Sequence, residues 1–402
     1  MITMNKVILC LFLCCCSALF AQNKKANAPQ PKEDFVFTTV KANKITPVKN
    51  QASSGTCWCF SGIGFLESEL LRMGKPEYDL SEMFVVHTNY AQKAVKYVRM
   101  HGTINFGPGG EFEDVLEVVK NSGIVPDTVL KGLNYGEERH THGELDATTR
   151  AYVDAIIKDP NKHLSTAWLE GFDGILDAYL GKLPEQFTYN GVSYTPKSFA
   201  ASLGLNMDDY IPLTSFTHHP FYTRFALEIE DNWRWAETYN IKLDELMSTI
   251  DNAVNNGFTV MWAADVSEKG FTRQGIGVVP DVDPNQRPAG TDEAKWIGLS
   301  KKEKEDLVYK IDGPVKEKVI TQELRQQGFD NYETTDDHGM QIFGIANDQN
   351  GAKYYMVKNS WGTENKYKGI WYVSEAYVRY KTISIVVHKD ALPSAVKSEL
   401  GL

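Results

Sequence analysis

The stretch Gln51-Ala-Ser-Ser-Gly-Thr-Cys57-Trp58-Cys59-Phe60 opens a helical pattern, and its reading decides the fold. Phe60, Ile63, Leu66 and Leu70 recur at helical spacing, and Gly74 with Pro76 closes the run. Cys57 therefore falls at the start of a predicted helix. A thiol is a useful nucleophile only as thiolate, and a helix N-terminus or a neighbouring imidazolium favours that form. The side-chain amide of Gln51 and the backbone N–H of Cys57 can together face a developing oxyanion. In isolation Cys57 reads more simply as a small buried apolar residue.

Two later segments change that balance. Asp337-His338-Gly339 enters one predicted strand, Met340 to Ala346, and Lys358-Asn359-Ser360-Trp361-Gly362 follows the next, Lys353 to Val357. Between them lies the turn-forming Asn347-Asp-Gln-Asn-Gly351. Antiparallel neighbours at this spacing bring His338 and Asn359 together. His338 then reads as the base, with Asn359 fixing its ring through the side-chain oxygen. Trp361 covers that bond from water, and Trp58 and Asp337 read as supporting residues.

The charge balance of the chain argues against a nucleic-acid binder. The chain has 402 residues, 42 Lys plus Arg against 52 Asp plus Glu, a net charge of -10, and no basic block. Lys6, the apolar run Val7 to Phe20 and the small Ala21 predict a signal peptide over residues 1–21 and a secreted or periplasmic mature chain with no stable membrane span. A lipid-attached cysteine among Cys14, Cys15 and Cys16 is the rival, but Phe12 and Leu13 are bulky where such signals have small residues. Cleavage would leave only Cys57 and Cys59, poorly placed for an unstrained disulfide. A free thiol that persists in a secreted protein asks for a chemical reason.

Residues 22–44 begin as a polar, flexible lead-in. A second helix fits Phe112 to Asn121, closed by Gly123. Leu243, Leu246, Met247, Ile250 and Val254 form another helical stripe, stopped by Gly257, with a strand over Thr259 to Ala264. Residues 281–304 read as a loop, and Gly369 to Ser374 and Thr382 to His388 as strands.

Pro47-Val-Lys-Asn-Gln51 with Ser54-Gly-Thr-Cys57-Trp58, then Asp337-His338, then Asn359-Ser360-Trp361-Gly362, together resemble the papain superfamily. The resemblance implies an α+β fold: a papain-like pair of lobes, one helical with Cys57, the other of strands with His338 and Asn359. His338 lies 281 residues after Cys57, whereas small papain-like enzymes separate the pair by about 130–150. That spacing implies a large, mostly helical insertion, about residues 130–310, within a peptidase domain spanning 45–402. The insertion, and Ser54 where papain has a disulfide cysteine, resemble the bleomycin hydrolase and aminopeptidase C branch. So does Gly109-Gly110, which looks like the glycine pair whose backbone pairs with substrate.

From this resemblance follow peptide substrates, no cofactor, no metal and a possible homo-oligomer, since family members form hexameric barrels. The chain departs from the branch in its signal, in Cys59, and in stopping at Leu402. With Gly401 and Leu402 alone after a last helix, exopeptidase character is expected to be relaxed. A catalytically silent peptide-binding protein and a redox protein using Cys57 and Cys59 are the rival functions. His140-Thr-His142, Asp281-x-Asp283-x-Asn285 and His218-His219-Pro220 are weaker signals, read as a solvated loop, a failed calcium loop and packing.

Overall fold

Helix formation starts where the sequence puts it. In the computed structural model, which describes residues 34–158, 163–281, 300, 309 and 311–402, helix α1 runs Cys57–Arg72. It is followed by α2 (Glu82–Arg99), α3 (Phe112–Ser122), α4 (Gly143–Ile157), α5 (Ala167–Leu180), α6 (Pro196–Leu203) and α7 (Leu243–Asn255). Later come α8 (Gln322–Asp330), α9 (Glu375–Lys381) and α10 (Ser394–Leu400). The strands are β1 (Thr38–Ala42), β2 (Phe187–Tyr189), β3 (Val192–Tyr194), β4 (Tyr210–Thr214), β5 (Arg224–Ala226) and β6 (Glu237–Asn240). They continue with β7 (Val260–Ala264), β8 (Ile276–Gly277), β9 (His338–Asn347), β10 (Lys353–Lys358), β11 (Ile370–Ser374) and β12 (Thr382–His388).

One mixed sheet carries most of the strands, in the order β5-β6-β4-β12-β7-β9-β10-β11-β8. Strand β9 is its pivot. Its first half pairs with β7, from Ala264 opposite His338 to Val260 opposite Ile342. Its second half pairs with β1, and β10 runs along its other edge. Lys358 at the end of β10 stands opposite Gln341, so the chain leaves β10 close to the level of His338. This register delivers Asn359 to the ring.

Two hydrophobic cores match the two lobes. One gathers α1, α2 and α3 with Phe172, Leu176 and Leu203 of the middle stretch. The other joins strands β7, β9, β10 and β12 to α7 and α9, with Trp262, Ile342, Val357 and Ile385 at its centre.

Helices expected of the middle stretch are present as α4, α5 and α6. It also holds β2 to β6, which the sequence reading did not anticipate, and β4 pairs directly with β12, Ile385 opposite Leu213. The stretch is thus built into the sheet as well as onto the helical lobe. The signal peptide and most of the 281–304 loop, with Asp283 and Asn285, lie outside the described residues. No helix among the described residues is long and apolar enough to cross a membrane.

Candidate active site

A glycine sets how closely α1 approaches β9. A Cβ at Gly339 would sit 2.8 Å from the Ser61 hydroxyl and 3.1 Å from the Trp58 Cα. Only glycine lets the strand lie this close to the first turn of the helix. Cys57, opening α1, and His338, opening β9, therefore line the same cavity of about 410 Å3. The backbone N–H groups of Gly339 and Trp58 face the sulfur and favour thiolate, against burial, which is the larger effect and pushes the thiol up to about 11.

The loop before α1 is held by its own side chains. Ser54 Oγ donates to the Gln51 carbonyl at 2.8 Å, so the 2.6 Å contact with Thr56 Oγ1 has Thr56 as donor. The Gln51 amide donates one hydrogen to the Ser54 carbonyl at 2.7 Å. Its second amide hydrogen remains for the cavity that Gln51 also lines.

His338 Nε2 lies 2.7 Å from Asn359 Oδ1, which also accepts from the Ser360 N–H at 2.7 Å. Flipping the Asn359 amide would set donors against donors, so the oxygen must face both. Oδ1 can only accept, hence Nε2 carries a hydrogen and Nδ1 is left as the basic nitrogen when the ring is neutral. Ser360 Oγ donates to Gln51 Oε1 at 2.6 Å. One chain of bonds thus ties Gln51 to the ring. Trp361 lies over the imidazole, centroids 4.6 Å apart, and is braced edge-on by Trp371. Burial pushes His338 down to about 4, opposed by the Asn359 bond.

Asp337 points elsewhere: its carboxylate accepts from the Val266 and Ser267 N–H groups at 3.3 and 3.1 Å. It anchors the backbone beside His338 rather than the ring. Trp58 donates to the Pro108 carbonyl at 3.1 Å, and its ring walls Gly110. Gly109 and Gly110 both line the cavity. A Cβ on Gly109 would overlap the Asp231 carboxylate at 1.9 Å. Lys93, buried behind this segment, donates to the Gly107 carbonyl at 3.0 Å and to that of Gly109.

Other candidates fall outside this constellation. Cys59 is buried on the opposite side of α1 and its thiol donates to the Glu82 carbonyl at 3.3 Å. His140 and His142 are not a solvated pair: both rings are largely buried, burial pushes each down to about 4, and among the described residues their nitrogens gather no third ligand. His218 and His219 both meet Glu228, at 3.0 and 2.8 Å. Gln326 is oriented by the Thr217 N–H and Asp330 and gives its N–H to His218 Nδ1 at 3.1 Å. His218 Nε2 then keeps its hydrogen for Glu228, so this contact is a hydrogen bond from a neutral ring and that nitrogen is not free to bind a metal.

Sequence reasoning missed three acids of the cavity wall, Glu111, Asp231 and Asp336. Glu111 directly follows Gly109-Gly110 and Asp336 precedes Asp337-His338, so adjacency to the motifs was an available signal. Asp231 had none.

Comparison with known proteins agrees with this fold. The model for "Papain family cysteine protease" matches residues 33–162, and that for "Peptidase C1-like family" matches 307–401. Cysteine proteinase 1, mitochondrial, of Saccharomyces cerevisiae is 22% identical, covering 92% of this chain and 80% of the relative. Aminopeptidase C of Listeria monocytogenes is 21% identical, covering 92% and 86%. The crystal structure of PepW from Lactobacillus rhamnosis superposes with a TM-score of 0.65 at 18% identity, covering 90% of this chain and 84% of PepW. The chain is a papain-like cysteine-type peptidase. Its resemblance falls to the aminopeptidase C and bleomycin hydrolase branch.

Proposed function

We propose that this chain hydrolyses peptide bonds through a thioester on Cys57. The observation that carries the reading is the shared oxygen of Asn359, which accepts from both His338 Nε2 and the Ser360 N–H and so leaves Nδ1 as the basic nitrogen in the cleft that holds Cys57. His338 takes the thiol proton and Sγ attacks the carbonyl carbon. The oxyanion meets the Gln51 amide and the Cys57 N–H. His338 then gives its proton to the leaving amine as the C–N bond breaks. Water, deprotonated by the same ring, cleaves the thioester and restores the thiol.

Aminopeptidase C-like action, with relaxed exopeptidase character, is part of the same proposal. So is export by the residue 1–21 signal. The rival redox reading needs Cys57 and Cys59 to meet, whereas their environments lie on different sides of α1. A thiol-selective epoxide inhibitor tests the choice: labelling at Cys57 alone, with loss of peptide cleavage, is expected. Cleavage that survives full Cys57 labelling overturns the reading.

A further inference from the structure

Lys93 of α2 is only 1% exposed, yet among the described residues it forms no ion pair. Its ammonium donates instead to two backbone carbonyls, that of Gly107 at 3.0 Å and that of Gly109. A buried ammonium without a carboxylate is costly, so the question is what those carbonyls gain. The carbonyl between them, of Pro108, accepts from Trp58 Nε1 at 3.1 Å and from the Tyr90 hydroxyl at 3.3 Å. Tyr90 and Lys93, three residues apart, share a face of α2. Both are buried and neither lines the cavity, whereas Pro108, Gly109 and Gly110 do. The carbonyls of Pro108 and Gly109 are therefore turned back into the helical lobe.

In a trans peptide the N–H points away from the carbonyl of the residue before it, and no peptide bond among the described residues is cis. The N–H groups of Gly109 and Gly110 thus face the cleft. The next N–H, that of Glu111, donates backwards to buried Asp114 Oδ2 at 3.0 Å, so the Gly110 carbonyl faces forward as well. Among the described residues none of these three forward groups has a hydrogen-bond partner. Gly110 presents a donor and an acceptor side by side, the pattern of an open strand edge that an extended peptide backbone completes. The arrangement does not sustain itself. The peptide unit between Gly109 and Gly110 has no Cβ on either side, so it turns over at little steric cost. Without a donor behind it, the Gly109 carbonyl would swing toward water and carry the Gly110 N–H out of the cleft.

We infer that Lys93 and Tyr90 are positioning residues for the substrate. Acting through the carbonyls of Gly107, Pro108 and Gly109, they hold the Gly109-Gly110 backbone in the orientation that pairs with the backbone of a bound peptide. This inference rests on the peptidase reading and adds two residues of α2 to its binding machinery.

The experiment replaces each amide of a peptide substrate except the scissile one, in turn, by an ester, and follows cleavage by mass spectrometry. An ester lacks the N–H and has a weaker acceptor. In wild type one position should lose about tenfold in kcat/KM. In Lys93→Met, which keeps the side chain's length, the all-amide peptide should show KM raised about tenfold with kcat changed far less. The ester at the sensitive position should then cost no more than about twofold. Lys93→Arg, which restores a donor, should recover most of the wild-type penalty. Tyr90→Phe, which leaves Trp58 on the Pro108 carbonyl, should reduce the penalty about threefold, and it decides the matter should Lys93→Met not fold. A lysine and tyrosine that only support the fold would slow all peptides alike and leave the ester penalty at its wild-type size. That result overturns the inference, as does a wild type with no sensitive position, and either leaves the peptidase reading standing. Cleavage of no peptide, or cleavage that persists in Cys57→Ala, overturns the peptidase reading and this one with it.

Discussion

The Nε2 of His338 lies 2.7 Å from the side-chain oxygen of Asn359, and this contact decides which ring nitrogen is free for chemistry. Because Asn359 also accepts from Ser360, it cannot turn without breaking two bonds. Its part is to hold the ring, whereas His338 must move a proton twice per turnover. His338→Ala should thus lower kcat/KM by three orders of magnitude or so, and Asn359→Ala by roughly one to two. Steady-state kinetics on variants with wild-type circular dichroism checks the order. Equal or reversed losses would count against these roles.

Much of this site was legible because its residues are neighbours of strong local signals. Cys57 sits on a helix start, and His338 and Asn359 flank two strands joined by a turn. What escaped was set by non-local packing. Helix α2 hides its period because Met83, Phe84, Val85 and Val86 are consecutive and all buried, so no polar face interrupts them. Strands β4 to β6 have meaning only beside β12, more than 140 residues later. Asp231 reaches the cleft through a contact with Gly109 that no spacing rule encodes.

Gly339 carries a prediction of its own. Its missing Cβ lets Trp58 and Ser61 of α1 lie against β9. Ser61 can rotate, but the Trp58 Cα cannot. Gly339→Ala should therefore push the thiol and the ring apart in a folded protein. A misplacement of this kind costs on the order of 100-fold in kcat. Unchanged kcat in a folded variant would show that the approach tolerates a methyl group.

Charge on the ring reports the resting state. Burial pushes His338 down to about 4 and Cys57 up to about 11, so each alone stays neutral. If the two ionise together, the thiolate holds the imidazolium well above that value. In Cys57→Ala this attraction is gone, and the ring should titrate below the ordinary histidine value of about 6.5. NMR of the ring resonances in both proteins measures the difference. Identical titration with and without the sulfur argues that the resting pair is neutral.

Cys59 gives a control. Its thiol donates to the Glu82 carbonyl, a bond that a serine hydroxyl can also make. Cys59→Ser should keep kcat/KM near wild type, at a stability loss of about 1 kcal/mol for burying a more polar atom. A loss of activity comparable to that of Cys57→Ala would revive the redox pair. Activity assays and thermal unfolding of the same preparation separate the two effects.

The acid pair Glu111 and Asp336, joined by a side-chain hydrogen bond, should also be visible in stability. Both are raised above the ordinary carboxylate range, Asp336 to about 7, chiefly by burial. A group whose folded pKa exceeds its unfolded value, about 4 here, binds more protons when folded. Its favourable contribution is present at low pH and is lost as pH rises through the folded value. Between about pH 4 and pH 7 the pair therefore makes the wild type progressively less stable. Glu111→Gln keeps the shape and removes the repulsion, so the variant should gain Tm over wild type at pH 7.5 and gain little at pH 4. Glu113 is raised to about 7 as well, by burial in its own helix turn, but it is present in both proteins and cancels in the difference. Thermal unfolding across this range measures the effect, and a pH-independent difference would mean that the two carboxyls do not share a proton. A pair that weakens the fold at neutral pH, yet lines the wall beside Cys57, is the pattern expected where a binding cleft is built at the expense of stability.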